Sequence, residues 1–232
     1  MRKIDAKGMK KINPKKGIIV SYPRSGLNWV RYCIEYFSGL RTPGPKKIHE
    51  KGKLALYRTH DVKRFGPKGS CFCAFYDPKG KPLHNKVLLL LRDYHEAYLR
   101  QSNHKTRPMP TAEEIRQGKR VFKFRNYFEN LRAYDKFSGK KTIVYYRDLI
   151  EDFSEITKIL DFFGFTYDLT DFDLEYHRQK SIQIYDNQHK SYSKDDLYNF
   201  TFHRDRVASE VNKALDEFVD ANYKDLADRY LR

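Results

Sequence analysis

The sequence predicts an α/β fold: three layers, with a central, mostly parallel sheet and a P-loop-like phosphate-binding turn after the first strand. Three observations predict it. Four short runs are apolar almost throughout, as strands covered on both faces must be. Segments with apolar residues at helical spacing lie between them, which is the pattern of a sheet built with crossover helices. The first run also passes through a short glycine-containing turn straight into a helix, an arrangement that presents backbone N–H groups and a helix N-terminus to an anion.

The predicted strands are Gly17–Ser21 (GIIVS), Leu54–Arg58 (LALYR), Lys86–Leu91 (KVLLLL) and Thr142–Tyr146 (TIVYY). A helix over Asn28–Phe37 aligns Trp29, Val30, Cys33, Ile34 and Phe37. A second, over Phe122–Phe137, aligns Phe124, Tyr127, Phe128, Leu131 and Tyr134. A third, over Asp152–Phe163, aligns Ile156, Ile159, Leu160 and Phe163 and stops at Gly164. Helical spacing returns over Arg204–Leu231 with Val207, Val211, Leu215, Phe218, Leu226 and Tyr230. Between them, Asp168–Tyr198 is polar and aromatic without clear periodicity and is read as loops and a lid. No linker, repeat or low-complexity tract divides the chain, so residues 1–232 are expected to form one domain, with 1–15 a flexible basic N-terminus.

Lys and Arg number 46 against 30 acidic residues, a formal charge of +16 that attracts polyanions. Nucleic acid, an acidic membrane, a phosphorylated small molecule and an acidic polysaccharide all fit that charge. Apart from Lys7, Lys10, Lys11, Lys15 and Lys16, the cations are spread along the chain, so most belong to a solvated surface. Three cysteines, Cys33, Cys71 and Cys73, make an odd and irregular set, which argues against a disulfide framework; they are expected as reduced core thiols. No run approaches the roughly 20 apolar residues that span a bilayer, and the N-terminus has no apolar stretch. Neither a signal peptide nor an anchor is expected, and the expected location is cytoplasmic. No His, Asp or Glu cluster has metal-ligand spacing, so no metal is expected.

Ligands of open α/β sheets sit beyond the carboxyl ends of the strands, which makes the residues after each strand the candidates. After the first come Tyr22-Pro23-Arg24-Ser25-Gly26-Leu27-Asn28-Trp29. Arg24 brings a fixed charge and several donors, and Ser25 and Asn28 add side-chain hydrogen bonds. The segment lacks the second Gly and the Lys-Ser/Thr of a nucleoside triphosphatase loop. After the second strand comes His60, whose near-neutral pKa suits proton abstraction. After the third comes Arg92, which can take a phosphate bidentately.

These motifs resemble the cytosolic sulfotransferase family, which carries a Tyr-Pro-Lys-Ser-Gly-Thr-Thr-Trp-like loop after its first strand. The resemblance implies transfer of a sulfuryl group from 3'-phosphoadenosine 5'-phosphosulfate to a hydroxyl or amine of an unidentified small-molecule or saccharide acceptor. It puts Arg24 at the position that contacts the sulfuryl group, Ser25, Gly26, Leu27 and Asn28 on the loop around the 5'-phosphate, and Trp29 against the adenine. Arg58-Thr59-His60 matches the family's Lys/Arg-Thr-His, which makes His60 the general base and Arg58 a candidate to hold sulfuryl oxygens. Arg92-Asp93 matches the start of the 3'-phosphate motif. Tyr94 replaces its Pro, and Arg100 stands where the family has Ser, so either Arg100 or Ser102 completes that contact. Tyr145-Tyr146-Arg147-Asp148-Leu149 and the helix after it resemble the family's Tyr-Glu-Asp-Leu segment and place Tyr146 at the adenine. Asn199-Phe200-Thr201 resembles the end of a late family motif, which by ungapped counting brings Lys190 to the 3'-phosphate; Ser181 is an adenine-side candidate. The alternatives are a nucleotide kinase-like phosphotransferase, disfavoured by the missing Gly-Lys-Ser/Thr, and a basic nucleic-acid-binding protein, which leaves unexplained why Arg24, His60 and Arg92 follow three successive strands.

Overall fold

The computed structural model describes residues 13–44, 47–63, 75–77, 79–102, 110–185 and 209–231. Cys71, Cys73 and Lys190 lie outside the described residues.

Among the described residues, four strands form one parallel sheet: β1 (Ile18–Ser21), β2 (Tyr57–Thr59), β3 (Lys86–Leu91) and β4 (Lys140–Tyr145), in the order β2-β1-β3-β4. The helices are α1 (Leu27–Ser38), α2 (Tyr94–Ser102), α3 (Ala112–Arg116), α4 (Phe122–Lys136), α5 (Tyr146–Glu151), α6 (Ser154–Phe163), α7 (Leu174–Tyr185) and α8 (Ser209–Tyr230). Alternate strand residues enter two separate cores, as the pleat requires. Ile18, Val20, Val87, Leu89 and Leu91 pack with α4 and α8 through Tyr127, Phe128, Leu131, Val211 and Leu215. Ile19, Leu88 and Leu90 pack on the other face with Val30, Cys33 and Ile34 of α1 and Ile156, Ile159 and Leu160 of α6. The predicted three-layer α/β architecture is therefore the observed one, and Cys33 is a buried free thiol in the second core.

The strand order sets the site. From β1 the chain steps outward to β2, then returns past β1 to start β3 on its other side. The carboxyl ends of β1 and β3 are therefore neighbours at the topological switch point, where the crevice of an open α/β sheet holds its ligand.

Three local expectations change. The second ladder begins at Tyr57 rather than Leu54, which makes only an isolated bridge to Arg41. Tyr146 leaves the sheet and opens α5. Asp168–Tyr198, expected as loops and a lid, contains helix α7. Its apolar Tyr176 and Ile182 face solvent, whereas His177, Ser181 and Tyr185, spaced by four, are buried. The helical period is thus carried by residues that an apolar count ignores. The Tyr32 hydroxyl lies 2.7 Å from His177 Nδ1, Phe172 stacks on the imidazole at 4.5 Å, and the Arg31 guanidinium lies 4.7 Å above the Tyr185 ring.

Helix α8 is latched to the end of β3. Asp216 accepts hydrogen bonds from Tyr94 and from His95 Nε2 at 2.7 Å, and His95 Nδ1 lies 3.6 Å from Asp93. Burial pushes the His95 pKa down, but the two carboxylates outweigh it and hold it above its ordinary value.

Candidate functional site

The turn after β1 reverses direction over Tyr22–Gly26. Ser25 N–H donates to the Tyr22 carbonyl at 3.3 Å, and both Arg24 (φ 71°) and Gly26 (φ 83°) are left-handed. A non-glycine residue in that region costs about 1–2 kcal/mol and persists only where its surroundings hold it. Arg92 supplies that hold, its Nη1 donating to the Arg24 carbonyl at 2.9 Å. Gly26 is the N-cap of α1 and provides no side-chain cap. The N–H groups of Leu27 and Asn28 therefore have no intrahelical partner and remain a positive pole at the switch point.

The glycine at position 26 is required twice over. Besides its left-handed φ, a Cβ there would lie 2.2 Å from the Tyr146 ring, which packs directly on the turn. Gly26→Ala is expected to lower stability by about 2 kcal/mol. A urea melt with an unchanged m-value and a lower midpoint would register it; an unchanged midpoint would mean that the ring and the turn part without strain.

Arg92 is the hub. Its guanidinium carbon lies 3.9 Å above the Tyr146 ring, its Nη2 donates to Glu96, and its own carbonyl accepts from the buried Tyr127 hydroxyl at 2.7 Å. Glu96 Oε1 also accepts from Arg100, at 3.0 Å from Nε and 2.9 Å from Nη2. Residues 92, 96 and 100 recur every four positions, so one carboxylate holds two guanidiniums side by side. Burial raises the Glu96 pKa, but Arg92 and Arg100 outweigh it and keep the carboxyl below its ordinary range. Ser102 lies one helical turn after Tyr98, whose ring is in the core. The structure thus brings Arg100 beside Arg92 through Glu96.

His60 stands just past β2, and its Nδ1 lies 3.0 Å from the Ser21 carbonyl and 3.1 Å from Ser21 Oγ. A carbonyl can only accept, so Nδ1 carries the proton and Nε2 is the acceptor nitrogen, the tautomer a general base needs. Burial, reinforced by the Arg58 and Arg31 charges, pushes the His60 pKa down to about 4. The imidazole is therefore neutral through the physiological range.

The remaining described candidates differ in exposure and partners. Ser25 is fully buried and Leu27 belongs to the core, whereas Arg24 and Asn28 are exposed. Asn28 Oδ1 accepts from Arg31 Nη1 at 3.3 Å. Trp29 stacks on Tyr32 at 5.8 Å. Arg58 is buried on β2, and Ser181 is buried on α7. Ser25 Oγ, Trp29 Nε1 and Arg92 Nε are among the buried donor atoms that make no hydrogen bond within the described residues. Leaving such groups unsatisfied costs about 1–3 kcal/mol each. All three can donate, which suits an acceptor-rich, anionic ligand.

Several residues that contact the candidates carry no functional signal in the sequence. The spacing of Glu96, four positions from Arg92 and from Arg100, is the one signal available for it. Ser21 and Tyr127 read as a strand end and a core position, and Asn130, whose side chain bonds the Ser21 and His60 carbonyls, has no local signature.

No protein-family model matches the chain, and no curated protein matches it in sequence. Among solved structures, the chain is similar to mouse sulfotransferase SULT7A1 complexed with PAP, with 15% sequence identity and a TM-score of 0.48, over 97% of this chain and 88% of that one.

Proposed function

We propose that the protein is a sulfotransferase that uses 3'-phosphoadenosine 5'-phosphosulfate as donor, with the crevice between the β1 and β3 loops as its donor site. The observation that carries the proposal is the meeting of two arginine-bearing strand ends: Arg92 after β3 donates to the carbonyl of Arg24 after β1. One ligand bearing phosphates at the 3' and 5' positions of its ribose suits such a pair, and the unsatisfied donors of Ser25 and Arg92 suit its oxygens.

In this reading the turn, with Arg24, Ser25 and the N–H groups of Leu27 and Asn28, receives the 5' end of the donor. Arg92 and Arg100 receive the 3'-phosphate, with Lys190 as a further candidate contact, and Trp29 and Tyr146 flank the base. His60 Nε2 takes the proton of the acceptor hydroxyl or amine. The acceptor atom bonds to sulfur as the bond from sulfur to the 5'-phosphate oxygen breaks, and the bisphosphate leaves with that electron pair. Arg24 balances charge on the sulfuryl oxygens, so catalysis is mostly alignment and electrostatics. The acceptor is a small molecule or saccharide bearing the attacking group.

Calorimetric titration with adenosine 3',5'-bisphosphate and with ATP tests the donor assignment. Tight binding of the bisphosphate, at least about tenfold stronger than ATP, is the expected result, since the turn lacks the lysine that grips a triphosphate. Equal or reversed affinities would instead support a kinase-like enzyme. Salt-sensitive binding of generic RNA with no response to the bisphosphate would support a nucleic-acid-binding protein.

A further inference from the structure

Helix α4 contributes no residue to the proposed chemistry, yet one of its faces reaches the carboxyl ends of three strands. Tyr127 donates to the Arg92 carbonyl after β3 at 2.7 Å. Asn126 Nδ2 donates to Asp61 Oδ2, past the end of β2, at 3.1 Å. Asn130, with a relative exposure of 1%, uses its whole carboxamide. Its Nδ2 donates to the His60 carbonyl at 3.0 Å and to the Ser21 carbonyl at 3.4 Å, and its Oδ1 accepts from Val62 N–H at 3.1 Å. The orientation of the amide follows from chemistry, because both carbonyls can only accept and the Val62 N–H can only donate.

We propose that Asn130 is the positioning residue of His60, an inference that rests on the reading of His60 as the general base. Asn130 grips the backbone on both sides of the imidazole, at the carbonyl of residue 60 and the N–H of residue 62. It also ties down the Ser21 carbonyl, the acceptor that keeps the proton on His60 Nδ1. One buried side chain thus fixes where the ring stands and which nitrogen carries the proton. Orienters of this kind act by holding a tautomer, and their loss costs turnover rather than ligand affinity.

The primary test needs no turnover. Long-range proton–nitrogen NMR of the wild-type chain should find His60 as the Nδ1–H tautomer; the Nε2–H tautomer would overturn the proposal. Asn130→Ala should move His60 toward the Nε2–H form and lower kcat about tenfold or more, with bisphosphate affinity within about twofold of wild type. A folded Asn130→Ala protein with unchanged tautomer and unchanged kcat would overturn it as well. Asn130→Asp keeps an acceptor for Val62 but loses both donors, so it should be as impaired as the alanine variant; recovery of wild-type kcat by aspartate would reduce Asn130 to a packing role. If the bisphosphate fails to bind wild type, the donor assignment fails while the tautomer result stands on its own.

Discussion

Arg92→Ala is expected to weaken binding of adenosine 3',5'-bisphosphate by about a hundredfold. A single hydrogen bond to a charged group contributes about 1.5–3 kcal/mol, and Arg92 does more than make one. Its removal frees the carbonyl of the left-handed Arg24, takes the cation off the Tyr146 ring that packs on Gly26, and leaves Glu96 paired with Arg100 alone. Both walls of the crevice therefore loosen together. Arg92→Lys should recover only part of the loss, because an ammonium cannot span the Arg24 carbonyl and Glu96 with a planar fork. Calorimetry decides the matter. An alanine variant with wild-type affinity would remove Arg92 from the donor site, and a normal thermal melt would exclude unfolding as the cause of any loss.

His60→Ala is expected to lower turnover by about a hundredfold or more while leaving bisphosphate affinity within about twofold. The pH behaviour makes this test specific. The folded-state pKa of about 4 lies below the unfolded value of 6.5, so the base is competent at neutral pH, and the acid limb of kcat/KM should fall near pH 4 rather than 6.5. A bound anionic donor partly cancels the Arg58 and Arg31 charges, so the acid limb of kcat should lie above that of kcat/KM. The same shift has a stability consequence. Between pH 6.5 and about 4 the unfolded chain binds a proton that the folded protein does not, so His60 makes wild type lose stability as pH falls through that window. His60→Ala should abolish that component. Unchanged turnover in the variant would remove His60 from the mechanism, whatever the melts report.

The parts of the site legible in the sequence are those where one local segment contains both the structural cause and the chemistry. The run into Arg24-Ser25-Gly26 specifies a buried strand, a tight turn and a helix start within a dozen residues, and the structure has all three. KVLLLL followed by Arg92 is equally local. The placement of Arg100 depends on which side of α2 faces the core, which counting along the chain does not give: Tyr98 faces inward, and Arg100 shares Glu96 with Arg92. Helix α7 has no apolar signature because its buried stripe is His177, Ser181 and Tyr185, polar or amphipathic residues, two of which meet Tyr32 and Arg31 of α1, partners that a linear reading does not pair with them.

The sequence by itself determined the strands, the layering and the identity of the charged groups at the strand ends, since apolar periodicity and turn chemistry act over a few residues at a time. Only the tertiary structure decided how those groups face one another. The strand order set the crevice between β1 and β3, Glu96 joined two arginines, and Asn130 and Tyr127 on a distant helix tied His60 and Arg92 to one frame. Hydrogen bonds across 35 to 109 positions of chain have no local signature, because the partner that satisfies a buried amide or carbonyl is chosen by packing rather than by its neighbours in sequence.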